Sequence, residues 1–165
     1  FANIGYCVAS VDDKNILLPI KMGVIRTSSD NLIGSVSEKN VARSLLIAEG
    51  LNFFLERFTP LTIACQAMSY PRNASTAGKM SLCWGVIIGL SHTHNVPIQQ
   101  VSPQDLKVSI TGSNTSSKED IIAGINKKIS HSLIESLLKE SKVPRSLWEH
   151  SYDALGAVYA IVNKK

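Results

Sequence analysis

The last helical stretch of the chain, EHSYDALGAVYA, opens with two residues that could hold a cation, His150 and Asp153. A spacing of three puts both on one helical face, ahead of residues that are otherwise apolar and small. An imidazole and a carboxylate at the mouth of a buried helix suit a divalent metal that touches phosphate oxygens. A solvated first turn, with Asp153 favoured by the positive end of the helix, accounts for the same pair without any ligand.

Two further signals concern phosphate and charge. Lys107 and Lys118 border a Gly/Ser/Asn loop, TGSNTSS, whose free backbone N–H groups and flanking cations would make a phosphate-contacting surface. Two solvated surface lysines are the plainer account of that pair. Gln66 ends the apolar run TIAC, where the strand delivers its first polar side chain. A strand end in an α/β protein is a favoured place for a catalytic carboxylate, so a neutral amide there is unexpected. His92-x-His94 has no further Cys or His at metal-site spacing nearby and reads as a helix C-terminus, where histidines meet the last carbonyls.

At 165 residues the chain fits one domain with room for a core, and 44% apolar against 18% charged residues is a globular composition. Its net charge of +4 is compatible with a polyanionic partner and equally with ordinary solubility charge. No apolar run reaches the roughly 18–20 residues of a membrane span; residues 82–90 come nearest and are interrupted by Gly85 and Gly89. Cys7, Cys65 and Cys83 are odd in number, lack C-x-x-C spacing and lie in apolar runs, as buried reduced thiols of a cytosolic protein do. The first residues show no basic stretch or small-residue cleavage site of a secretory signal, Phe1 already lies in a strand-like run, and the expectation is that a few N-terminal residues are missing upstream.

The elements that must position these residues follow from periodicity and punctuation. Residues 4–11, 16–20 and 22–27 read as three short strands of an antiparallel meander. After a polar loop over 28–39, Val41, Leu45, Ala48, Leu51, Leu55 and Phe58 mark a helix that Pro60 ends. Residues 61–66 form a fourth strand and 98–101 a fifth, with a Gly- and Ala-rich helix over 76–92 between them. A short helix follows Ser102-Pro103 through Lys107, and Ser116 with Glu119 reads as a capping box for the next helix. Residues 130–145 continue helical, and a last helix covers about 147–162. The expectation is an α/β fold with a five-stranded mixed sheet flanked by helices.

Taken in order, these motifs resemble the RuvC-type Holliday-junction resolvases of the ribonuclease-H-like superfamily. Gly5-Tyr6 stands where the family's opening G-x-D-P-x-x-x-x-G-Y ends, and GVIRT at positions 23–27 is similar to a family strand. In ACQAMSYPRNAS, Gln66 falls on the family's Glu and Asn73-Ala74 on its Asn-Ala pair. VSPQDLKVSITGSNTSSKEDI resembles the SPxxxKxxxTGxGxAxKxxV segment, which puts Lys107 and Lys118 on its functional lysines. His150-x-x-Asp153-Ala154 matches the terminal acidic pair, whose first member is Asp or His. The resemblance implies a ribonuclease-H-like fold in one nuclease domain over residues 1–165. It implies a homodimer that binds four-way DNA junctions and nicks opposed strands, in recombination and repair, in the cytoplasm of a bacterial or phage-infected cell or in an organelle. It implies two Mg²⁺ ions per site, replaceable by Mn²⁺, held at the positions of Gln66, His150 and Asp153. DNA contacts would come from Ser69, Tyr70, Arg72 and Asn73 and from Lys107, Ser113, Asn114, Ser117 and Lys118, with Tyr70 able to stack on a base.

Two departures from the family pattern bear on activity. The first-strand Asp would lie upstream of Phe1, and the Glu is replaced by Gln66, which keeps its shape but loses its charge. An experimenter's Glu-to-Gln knockout and a natural, non-catalytic junction-binding or scaffolding protein both explain this. A superfamily member acting on another substrate, such as an RNA–DNA hybrid, is a third reading.

Overall fold

The computed structural model describes residues 3–27, 32–68 and 73–164. In chain order the elements are β1 (Asn3–Val11), β2 (Leu17–Arg26), α1 (Val36–Phe58), β3 (Ile63–Gln66), α2 (Ala74–His94), β4 (Ile98–Val101), α3 (Pro103–Thr111), α4 (Lys118–Lys128), α5 (His131–Glu140) and α6 (Trp148–Val162), with a 3-10 turn at Arg145–Leu147 before α6. The residues group into two compact units, one of 1–4, 25–63 and 68–98, the other of 5–24, 64–67 and 99–165.

The second unit carries most of every strand. β1 and β2 form a hairpin whose turn is made by Asp12. Its carboxylate Oδ1 accepts from the N–H groups of Lys14 and Ile16 at 2.9 and 2.8 Å, while Asn15 takes the left-handed conformation at φ 59°. β3 and β4 run parallel, since Ile63 N–H donates to the Pro97 carbonyl and Ala67 N–H to the Val101 carbonyl, both advancing in the same direction. A parallel pair cannot be closed by a tight turn, and the intervening chain contains all of α2.

The α/β class expected from the sequence is the class observed, but the strands are organised differently. Among the described residues there are two two-stranded sheets, β1-β2 and β3-β4, rather than five strands in one. The expected break at Lys21 is absent because a single lysine between Ile20 and Met22 supplies no turn chemistry. Pro19 is accommodated inside β2, in a two-stranded sheet where one side of each strand needs no ladder partner.

The core of this unit is aliphatic. Leu106 and Ile110 of α3, Ile121 and Ile125 of α4, Ile134 and Leu138 of α5, and Leu155 of α6 are buried together with Met22 of β2. Each such side chain is worth about 1.5–3 kcal/mol when fully withdrawn from water. α6 approaches α3 closely through a small residue: a Cβ at Gly156 would stand 3.1 Å from Ile110 Cδ1. The phenol of Tyr152 donates to Asn126 Oδ1 at 3.0 Å, tying α6 to α4.

In the first unit α1 packs on α2, with Ile47 and Leu55 buried. α1 starts earlier than its apolar period suggests, because Ser35 and Glu38 form a reciprocal capping box. It ends at Thr59, left-handed at φ 41°, before Pro60. His94 of α2 pairs through Nε2 with Asn52 Oδ1 of α1 at 2.7 Å, so this histidine is engaged in helix packing. α2 is longer at both ends than the 76–92 expected.

Cys7, Cys65 and Cys83 are free thiols, and burial pushes Cys7 up to about 12 and Cys65 up to about 11. They behave as packing residues rather than nucleophiles. Among the described residues no helix is long and apolar enough to cross a membrane.

Candidate active site

The second unit holds Gln66, Lys107, Lys118, His150 and Asp153. Its geometry is built around the first turn of α6. Gly5 of β1 lies so close beneath this turn that a Cβ there would fall inside the His150 carbonyl and 2.8 Å from Ser151 N. Only a glycine permits that approach. Ser151 is fully buried, and its hydroxyl donates to the Gly23 carbonyl of β2 at 2.9 Å. Gly23 in turn has the Tyr6 ring against it, with a hypothetical Cβ 2.6 Å from the phenol oxygen. Both strands of the hairpin therefore fix the backbone that carries His150 and Asp153.

Lys118 reaches the same turn from the start of α4. The Lys118 ammonium donates to Glu149 Oε2 at 2.8 Å. That hydrogen bond holds the lysine above its usual pKa and Glu149 below its own. Asp153, half-buried, is different: burial pushes its carboxyl upward, Lys118 and His150 pull it back, and Glu149 adds to the rise. The cluster is thus Lys118, Glu149, His150 and Asp153, one cation and two carboxylates beside an imidazole. Glu149 was not singled out from sequence, although it directly precedes His150 and shares a helical face with Asp153 at i,i+4.

Gln66 is exposed at the last position of β3, the strand end expected for it. Lys107 is half-buried on α3. The loop between the lysines is exposed at Ser113 and Asn114, and Ser113 Oγ lies 3.0 Å from Thr115 Oγ1. The helix cap sits one residue later than expected: Ser117 and Asp120 make the capping box of α4. Ser116 is unavailable for that role because it is buried, paired with Thr111 Oγ1 at 2.5 Å and donating to the Ser113 carbonyl. In the first unit, Asn73 Oδ1 accepts from Thr76 N at 3.1 Å as the N-cap of α2, so part of its amide is committed. Ser69, Tyr70 and Arg72 lie outside the described residues.

The donor set does not match a site for two hard cations. Among the described residues no three His, Cys, Asp or Glu side chains come together as a metal site. Asp153 offers one carboxylate and His150 one imidazole, the Glu149 carboxylate is paired with Lys118, and the amide of Gln66 contributes no charge.

A β-hairpin, a parallel strand pair that ends at Gln66, and a last helix carrying an imidazole and a carboxylate make this an α/β protein. The family model described as "Crossover junction endodeoxyribonuclease RuvC" matches residues 1–154, and the chain belongs to that family. Enzymes of this family are metal-dependent nucleases.

Relatives named crossover junction endodeoxyribonuclease RuvC include one from Pseudothermotoga lettingae, 29% identical over 122 residues, covering 73% of this chain and 70% of the relative. Another, from Cytophaga hutchinsonii, is 28% identical over 137 residues, covering 82% of this chain and 64% of the relative. That from Pseudarthrobacter chlorophenolicus is 25% identical and matched over 60% of its length. The chain thus spans about two thirds of these relatives. Among solved structures, Thermus thermophilus RuvC superposes with a TM-score of 0.70 at 22% identity, covering 96% of this chain and 86% of that one. The same protein in complex with a Holliday junction substrate gives a TM-score of 0.70 at 21% identity, with 96% and 85% covered.

Proposed function

We propose that this chain is a single nuclease-type domain that binds four-way DNA junctions and, with Gln66 at the end of β3, holds them without efficient cleavage. Family membership across residues 1–154 supports junction binding, and the Thermus relative of the same fold has been captured on a Holliday junction substrate. The observation that carries the second half is Gln66, an exposed neutral amide at the end of β3 where the family places a Glu. With Asp153 and His150 as the remaining candidate ligands, the site is short of the negative charge that two Mg²⁺ ions, or Mn²⁺ in their place, require. Lys107 and Lys118, at the two borders of the 112–117 loop, supply phosphate contacts, and Ser113, Asn114 and Ser117 lie between them. The place of work is the cytoplasm, where four-way DNA arises in recombination and repair.

The functional unit is a homodimer. α2 is apolar yet has no buried residue along its length, and Leu82 and Ile88 are 43% and 55% exposed. Gly78, Gly85 and Gly89 have open space where a Cβ would stand, so a second helix could approach closely. Two copies would also supply the two sites that paired nicks need.

A Gln66→Glu chain, extended upstream to the family's first-strand Asp, tests the proposal. It should nick junctions in Mg²⁺ while the Gln66 form binds them uncut. Failure of both forms to prefer junctions over duplex would end the proposal. The residue encoded at position 66 in the native gene separates an introduced substitution from a natural non-catalytic binder.

A further inference from the structure

Glu149 has no part in the proposed function, yet its carboxylate accepts the hydrogen bond of the Lys118 ammonium. Its Oε2 accepts from the Lys118 ammonium at 2.8 Å, across 31 positions of sequence. We propose that Glu149 is a positioning residue that holds Lys118 over the first turn of α6 in the free protein and releases it to a DNA phosphate. The proposal rests on the junction-binding reading above.

Three features of the structure carry it. Lys118 is anchored at its root, because Ser117 caps α4 and Asp120 returns the hydrogen bond, so the backbone at Lys118 does not wander. Glu149 is anchored as well, on a helix turn pinned by Gly5 beneath it and by the Ser151–Gly23 hydrogen bond beside it. The two side chains themselves are open to water, at 62% and 39% exposure, so the pair can be exchanged. A bond between two anchored stems and two solvated heads fixes where the ammonium stands without holding it tightly.

An exposed ion pair contributes little, because water competes for both charges. A phosphate diester is an equivalent anionic acceptor, and on a DNA duplex it comes with condensed counterions whose release favours the new contact. Asp153, one turn further along the same face, also acts on Lys118 through its charge, so the ammonium leaves a carboxylate-rich turn when it moves to DNA. Glu149 therefore holds the ammonium over this turn in the free protein and competes there with the incoming phosphate.

A double-mutant cycle on binding to a fluorescent four-way junction tests this, using the full chain with Lys118→Met and Glu149→Gln singly and together. Removing the competing carboxylate should tighten binding about two- to five-fold when Lys118 is present, the range open to an exposed ion pair. In the Lys118→Met background the same change should have no effect. A merely repulsive carboxylate would tighten binding equally in both backgrounds, and that result overturns the proposal. So does an unchanged affinity in both.

A spectroscopic readout is independent of affinity. The Lys118 ¹⁵Nζ ammonium resonance should be observable in the free protein, vanish in Glu149→Gln, and shift on adding the junction. A resonance indifferent to Glu149→Gln contradicts the proposal even if DNA binds. Junction and linear duplex bound equally, with the coupling intact, would sink the junction reading alone. No DNA binding at all would overturn both.

Discussion

Gly5 of β1 lies directly under the carbonyl of His150, with no room for even a methyl group between strand and helix. This contact sets the position of the turn that carries His150 and Asp153, and it explains why a glycine precedes Tyr6 in the first strand. Gly5→Ala should cost about 1–3 kcal/mol in chemical denaturation, the usual penalty of overpacking a tight site. It should also weaken junction binding, because α6 must move away from β1. Unchanged stability would mean that the hairpin does not buttress this turn.

Asp153 should make the fold less stable in its charged form. Burial raises its carboxyl pKa above its ordinary value, so the folded state binds the proton more tightly than the unfolded chain. The stability penalty is therefore absent below the unfolded chain's ordinary pKa and grows as pH rises from there through the raised one. Asp153→Asn should raise the melting temperature at pH 7, and the gain should disappear in acid. Thermal melts of both proteins across this pH window check it. A gain of equal size in acid would point to packing instead of charge.

Lys107→Ala and Lys118→Ala should each weaken DNA binding by a sequence-independent amount. Each should also reduce the slope of log affinity against log salt by roughly 0.9 if one duplex phosphate contact is lost. Titrations at several salt concentrations measure this. A loss of affinity with an unchanged slope would assign the lysine a structural role.

The exposed apolar face of α2 should be covered by a second copy of the chain. Ile88→Glu, at a side chain 55% exposed, should leave the helix content intact while shifting the protein from dimer to monomer in light scattering coupled to gel filtration. A monomeric parent protein would exclude the dimer.

Much of this architecture was legible from local patterns. The end of β3 at Gln66 followed from an apolar run meeting its first polar residue, and the common face of His150 and Asp153 followed from helical spacing. What local pattern could not supply was set by distant partners. Ser117 rather than Ser116 caps α4 because Thr111 takes the Ser116 hydroxyl into the interior. β2 runs through Lys21 as one strand, since its period is carried on by Met22 and no turn residue interrupts it. Glu149 gained meaning only when the fold brought Lys118 to it from another helix. A strand count was likewise beyond reach, because pairing of strands depends on long-range contacts that periodicity does not encode.

The central claim is a protein that grips branched DNA while lacking one charge of its cutting site. The most direct measurement is fluorescence anisotropy of the chain with a labelled four-way junction and with linear duplex of the same sequence, in Mg²⁺ at physiological salt, followed by denaturing electrophoresis of the labelled strands. The account predicts at least about a tenfold preference for the junction, equal to roughly 1.4 kcal/mol, with the strands left intact. Equal affinity for junction and duplex would contradict the junction-binding claim. Efficient paired nicking by the chain with Gln66 in place would contradict the claim that the missing carboxylate silences it.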